Sequence, residues 1–196
     1  MKLSTLPACY TNMETMPKAD PRKTDSLAER LADGDPLAPR DLVERHHAEL
    51  YRYAFAMLRD VHASEDAVHD AFVKALEALG RYSSERVRGM SLRAWLYRIT
   101  LNVVRNRVKK NREVAVEEVP VVVEKEGGGE RFMDALDALG GLTEKQRVAL
   151  ALRYMLDLPY AEISDATGWN ENTVKTHVRR GLKNMRVRMN IEEETK

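Results

Sequence analysis

The chain has 196 residues, with 32 Lys and Arg against 31 Asp and Glu, five His and one Cys. That length holds one medium domain or two small ones. Cys9 alone cannot close an internal disulfide, no apolar run nears the roughly 20 residues that span a bilayer, and Pro7, Asn12, Glu14 and Pro17 interrupt any signal-peptide order. Disulfide-stapled, membrane-inserted and secreted classes are therefore set aside, and the cytoplasm is the expected compartment.

Residues 1–24 show no hydrophobic period and read as a disordered tail, with Met13 and Met16 as alternative starts. A short helix is expected over 26–32, stopped by Asp33-Gly34-Asp35-Pro36. The next should run from about Arg40 to Arg59, with Leu42, Val43, Leu50, Tyr53, Ala54 and Met57 on one face. Ser64 is the expected cap of a third helix, whose apolar stripe is Val68, Ala71, Phe72, Ala75, Leu76 and Leu79 and whose stop is Gly80. A loop over 81–90 follows. Ser91 then opens a long helix to about Arg112, with Leu92, Trp95, Leu96, Ile99 and Val103 inward and Arg98, Asn102, Arg105 and Asn106 on another side. Trp95, at helical spacing beside Leu96 and Ile99, reads as core.

Residues 113–130 contain Pro120 and three consecutive glycines and read as a linker, with Val119 to Val123 able to pair transiently as a strand. Phe132, Leu136 and Leu139 begin a short helix. Thr143-Glu144-Lys145-Gln146 matches a capping box and starts a helix to about Leu156. Tyr160 to Thr167 is a further short helix, Gly168-Trp169 a turn, Asn170 a cap, and Glu171 to about Met189 the last helix. The reading is all-α: two small helical domains, 25–112 and 131–190, joined by a flexible acidic linker.

The net charge of +1 conceals a segregation. From Arg81 to Arg112 there are ten basic residues and one acid; from Glu113 to Glu130, six acids and one base; from Glu171 to Arg188, six bases and one acid. Blocks of one sign, not the sum, govern attraction to a polyanion. The segment Leu158 to Leu182 has the layout of a helix-turn-helix. Ala161, Ile163 and Ala166 are placed to pack on Val174, Val178 and Leu182. The outer side of the last helix then offers Asn172, Lys175, Thr176, Arg179, Arg180 and Lys183, long donors at a spacing that reaches base edges and phosphates in a major groove.

Together with "EDAVHDAFVKAL" and "RAWLYRITLNVVRNRVKK", that segment resembles the sigma-70 family of bacterial transcription initiation factors, most closely the small extracytoplasmic-function group with only regions 2 and 4. The resemblance covers about 40–112 and 131–189. It implies a promoter-specificity subunit that binds core RNA polymerase through Asp66, His69, Asp70 and Phe72, with His69 where glutamine is usual. It implies minus-10 contacts from Arg98, Asn102, Arg105 and Asn106, and minus-35 contacts from Asn172, Lys175, Thr176, Arg179, Arg180 and Lys183. A base-capture pocket would fall within 81–91, a loop somewhat long for the group. The expected partners are core polymerase, promoter DNA and an anti-sigma factor. The acidic linker would lie in the polymerase's RNA path, or act as an ordinary solubilising linker. Two rival readings are a stand-alone helix-turn-helix regulator and a sigma-like decoy that acts through an anti-sigma factor.

Nothing in the sequence supports catalysis, a cofactor or a metal. His46 and His47 lack a carboxylate at ligand spacing, His62 and His69 stand seven apart without Cys, and no glycine-rich phosphate loop follows a strand.

Overall fold

The computed structural model describes residues 26–113 and 139–188. The expected tail, the linker beyond Glu113, its Val119–Val123 strand and the start of the short helix at Phe132 and Leu136 lie outside the described residues. Regular structure within them is helical: α1 (Ser26–Ala32), α2 (Ala38–Leu58), α3 (Val61–Leu79), α4 (Ser84–Arg88), α5 (Leu92–Glu113), α6 (Glu144–Leu150) continued by a π-helical turn (Ala151–Met155), α7 (Tyr160–Thr167) and α8 (Glu171–Arg188).

The first half is a bundle in which α2, α3 and α5 pack on one another, with α1 and α4 side by side at one end. Arg30 sets the α1–α2 turn by donating to Asp35 at 2.6 Å and Asp41 at 2.5 Å. Asp35 also accepts the Leu37 N–H, and these bonds to its charged form hold its carboxyl below the usual range. Pro39 sits in the first turn of α2, where a missing N–H costs nothing. Helix α2 ends at Arg59, whose φ of 59° breaks the helix while its N–H still reaches the Phe55 carbonyl.

Two local expectations are corrected. Helix α3 starts at Val61, not at Ser64: the Asp60 carboxylate accepts from Ala63 N at 2.6 Å, and Ser64 is buried with its hydroxyl donating to the Asp60 carbonyl. The loop over 81–90 contains α4, capped by the Ser83 hydroxyl accepting from Arg86 N. Helix α4 is tied to α1 by the Ser84 hydroxyl on the Ala32 carbonyl and by an Arg88–Asp33 ion pair. The bundle core is the apolar stripe anticipated from spacing: Leu42, Leu50, Tyr53, Leu92, Trp95 and Leu96 are buried. Each such side chain contributes about 1.5–3 kcal/mol relative to leaving it in water.

In the second half, Thr143 and Gln146 form the expected capping box. The α-helix expected to reach Leu156 instead widens after Leu150 into a single π turn, the form in which this rare geometry usually occurs. Gly168 closes α7 with φ 74°, a conformation open to glycine without steric cost, and Asn170 caps α8 by accepting from Thr173 N at 2.8 Å. Ile163 and Ala166 bury against Val174 and Val178, as spacing implies, with Leu182 half-buried. Ala161 does not join them; it is exposed.

Gly181 lets α8 cross α6 closely: a Cβ there would stand 2.8 Å from Leu150 Cδ1 and 3.1 Å from its Cγ, and Leu150 is itself buried. Gly181→Val should therefore destabilise the second half by about 1–3 kcal/mol through overpacking. Gly140→Ala, where a Cβ meets nothing within 4 Å, should stay close to wild type, and urea denaturation of both variants checks the contrast.

Candidate nucleic-acid and protein interfaces

Helix α3 turns one side to the bundle and the other to solvent. Asp66 and His69 are exposed and Asp70 is half-buried. Arg107 of α5 reaches back to hold both acids, at 2.5 Å from Asp70 and 3.6 Å from Asp66. Phe72 departs from its expected place on this surface. It is 6% exposed and stacks on His47 at 6.4 Å, so it supports the helix from inside and presents no contact face. Val73 and Leu76 are instead the apolar side chains open to solvent there, 42% and 37% exposed on the same side as Asp66, His69 and Asp70. Spacing could have flagged Val73, since 66, 70 and 73 share a helix face. Leu76 was assigned to the core stripe and lies at its edge.

On α5, Arg98, Asn102 and Arg105 are half-buried and Asn106 is exposed. Trp95 is core, 1% exposed. The half-burial on this side comes from the second half of the molecule, because α7 packs along α5. Arg93 donates to the Leu156 carbonyl at 2.7 Å and lies 3.9 Å from Glu162 and 3.5 Å from Glu49. Arg98 approaches the turn after α7, where a Cβ on Gly168 would be 3.6 Å from its Nη2. Burial raises the Asp165 carboxyl pKa, with Arg98 pulling it back down and Glu171 pushing it up. Arg105 pairs with Glu144 at 3.3 Å and lies 5.8 Å from the Trp169 ring centroid. Beneath this contact Tyr53, Met57, Val104, Val108 and Val148 line a small cavity. Burial pushes the Tyr53 hydroxyl pKa up, and that hydroxyl has no hydrogen bond among the described residues.

The outer face of α8 stays open. Asn172, Lys175, Arg179, Arg180 and Lys183 are exposed, and Thr176 is half-buried with its hydroxyl donating to the Asn172 carbonyl at 2.7 Å. Lys175 pairs with Glu171 at 3.3 Å and lies 5.6 Å from the Tyr160 ring centroid. An exposed ion pair of this kind is worth about 0–1 kcal/mol, so Lys175 exchanges it readily for a nucleic-acid acceptor. The His177 ring meets the Trp169 ring at a tilt of 58°, with centroids 5.1 Å apart. Burial, then Lys145 and Arg180, hold its pKa below the ordinary value. An open cleft of about 480 Å³, lined by Arg105, Lys145, His177 and Arg180 among others, separates α8 from α5.

Among the described residues no group of three or more His, Cys, Asp or Glu is placed to hold a metal ion, and no helix is long and apolar enough to cross a membrane.

The sigma-70 region 2 family model matches residues 42–114, and the sigma-70 region 4 model matches residues 132–185, together more than half of the chain. The chain is 29% identical over 152 residues to RNA polymerase sigma factor SigV of Bacillus subtilis, covering 76% of this chain and 89% of that protein. It is 27% identical over 175 residues to ECF RNA polymerase sigma factor SigW of the same organism, covering 80% and 91%. Its fold is similar to CnrH in complex with the cytosolic domain of CnrY, at a TM-score of 0.67, 22% identity and coverage of 85% and 97%. It is also similar to the sigma factor RpoE in complex with the anti-sigma factor NepR from Bartonella quintana, at 0.64, 23%, and coverage of 79% and 99%. The chain belongs to the sigma-70 family, in its extracytoplasmic-function group. It is a promoter-specificity subunit of bacterial RNA polymerase and acts in transcription initiation.

The open face of α8 generates a test. Side chains near the start of a recognition helix meet base edges and later ones meet the flanking backbone. Lys175→Ala should lose about 1–3 kcal/mol at particular minus-35 bases and little at others. Lys183→Ala should weaken all sequences alike and flatten the dependence on salt. A promoter-variant panel measured at two salt concentrations separates the two behaviours.

Proposed function

We propose that three faces of the chain divide the work of a sigma subunit. The exposed side of α3, with Asp66, His69, Asp70, Val73 and Leu76, docks on core polymerase. Its form supports this: acidic groups beside a small apolar patch suit a protein surface better than a polyanion. The polar side of α5, with Arg98, Asn102, Arg105 and Asn106, holds the separated minus-10 strand. The outer face of α8, with Asn172, Lys175, Thr176, Arg179, Arg180 and Lys183, reads minus-35 duplex.

The observation that carries this reading is the row of exposed cations on α8, set on a helix-turn-helix whose inner face buries Ile163, Ala166, Val174 and Val178. On this reading 25–112 is the polymerase and minus-10 domain, 131–190 the minus-35 domain, and 113–130 the connector. The chain carries no chemistry of its own and works in the cytoplasm, where core polymerase is. An anti-sigma factor completes its partners, a reading supported by the likeness to RpoE, solved with NepR.

Two variants test the assignment. Asp70→Arg, checked for folding by circular dichroism, should weaken binding to core polymerase about tenfold, or ~1.4 kcal/mol. Replacing Arg98 and Asn102 together with Ala should lower open-complex formation on duplex promoter and spare a template with a premelted bubble. Equal losses on both templates would reduce these residues to general phosphate contacts.

A further inference from the structure

Between α5 and α8 the molecule leaves an open cleft of about 480 Å³, inside the roughly 300–1,000 Å³ range of small-molecule sites. Its lining is almost wholly donors. Arg105, Lys145 and Arg180 are cations, Thr143, Gln146 and His177 carry N–H or O–H groups, and Glu144 is the one acid among the lining residues. We infer that this cleft is a binding site for a compact polyphosphate, either inorganic pyrophosphate or the phosphate chain of a nucleotide.

Gln146 points to an oxygen-rich occupant. It is 8% exposed, and its Oε1 is already committed, accepting the Thr143 N–H at 3.4 Å and the Asn184 amide at 3.2 Å. The Nε2 donors, which have no partner among the described residues, are what remain for an acceptor in the cleft. An unmet donor at that depth carries a desolvation cost that a phosphate oxygen removes. The Thr143 hydroxyl accepts the Gln146 N–H in the capping box, so its own proton is left to donate.

Charge points the same way. Lys145 and Arg180 are exposed and make no hydrogen bond or ion pair among the described residues. Both act on His177, which they help to keep in its uncharged form. Arg105 is held by Glu144 at 3.3 Å, a part-exposed pair that a multiply charged ligand displaces. Trp169 backs both walls, 5.8 Å from the Arg105 guanidinium and 5.1 Å from the His177 ring. Because the donors come from α5, α8 and the start of α6, two or three linked phosphates reach all of them where a lone orthophosphate meets one side.

The site is separate from the duplex-reading side of α8. Arg180 stands about 140° round the helix from Lys175 and about 100° from Arg179, so it lies at the edge of the outer face and shares the cleft with His177. A recessed Gln146 and half-buried Arg105 and His177 suit a small anion entering the cleft better than the backbone of a duplex.

Titration of the histidine side chains of the full chain by NMR tests the site, with His177 assigned through His177→Asn. The additions are magnesium-free pyrophosphate, ATP and, at matched ionic strength, potassium chloride. Both polyphosphates should raise the His177 midpoint in a saturable way by about half a pH unit or more, since an anion beside the ring favours its charged form. His47, His62 and His69 should move no further than they do in potassium chloride. Lys145→Ala should weaken pyrophosphate binding about tenfold, and Lys74→Ala on α3 should leave it unchanged. Equal affinity for pyrophosphate and ATP identifies the phosphates as the whole ligand, and tighter binding of ATP adds the nucleoside to it. A shift that does not saturate, one shared by all the histidines, or one unchanged in Lys145→Ala would overturn the site. So would a minus-35 duplex that raises the His177 midpoint where neither polyphosphate does.

Discussion

Helix α5 must be apolar along one side and cationic along the other, and the remaining elements are arranged around that division. Its apolar side, through Leu92, Trp95, Leu96 and Ile99, is where α2 and α3 bury their own stripes. Its polar side lines the contact with α7 and carries the residues assigned to DNA. Loss of the apolar side would leave α2 and α3 with only each other to pack on. Loss of the polar side would leave a stable bundle without the residues proposed to hold a separated strand. A helix of 22 residues, about 33 Å long, keeps both duties in register without a loop between them.

Charge is distributed by the same logic. The first basic block is largely engaged within the chain: Arg88 by Asp33, Arg93 by Glu49 and Glu162, Arg105 by Glu144, and Arg107 by Asp66 and Asp70. These pairs are half-exposed, so each is worth little and can be traded for a phosphate. On α8, by contrast, Arg179, Arg180 and Lys183 are exposed and make no hydrogen bond or ion pair among the described residues. A cationic face of this kind raises the rate of encounter with duplex DNA before any base is read. The chain is thus readier for minus-35 duplex than for minus-10 single strand.

Much of this was legible in the sequence because helical periodicity reports burial directly. Leu42, Leu50, Trp95, Leu96, Val174 and Val178 are core for the reason their spacing gave, and the Gly168 turn and Asn170 cap stand where turn chemistry put them. Errors came where two residues one turn apart could do one job, as with Asp60 and Ser64 at the start of α3. They also came where a short helix hid among apparent breakers, as α4 does behind Ser83 and Ser84. The exposure of Val73 and Leu76 and the burial of Phe72 depend on how α3 is rolled against α2 and α5, which one helix's periodicity fixes only to within a residue or so. The seam between the halves was not legible at all. Arg93, Glu162, Glu144 and Trp169 are far apart in sequence and carry no pattern that pairs them; only tertiary packing brings them together.

The most direct measurement of the central claim is transcription in vitro with the full chain, bacterial core polymerase and a pool of templates randomised across the promoter region. Sequenced transcripts should descend from templates sharing two short motifs at one fixed separation, the upstream one read as duplex by α8 and the downstream one held by α5. Transcription with no enriched motif pair, or none above core polymerase alone, would contradict a promoter-specificity subunit.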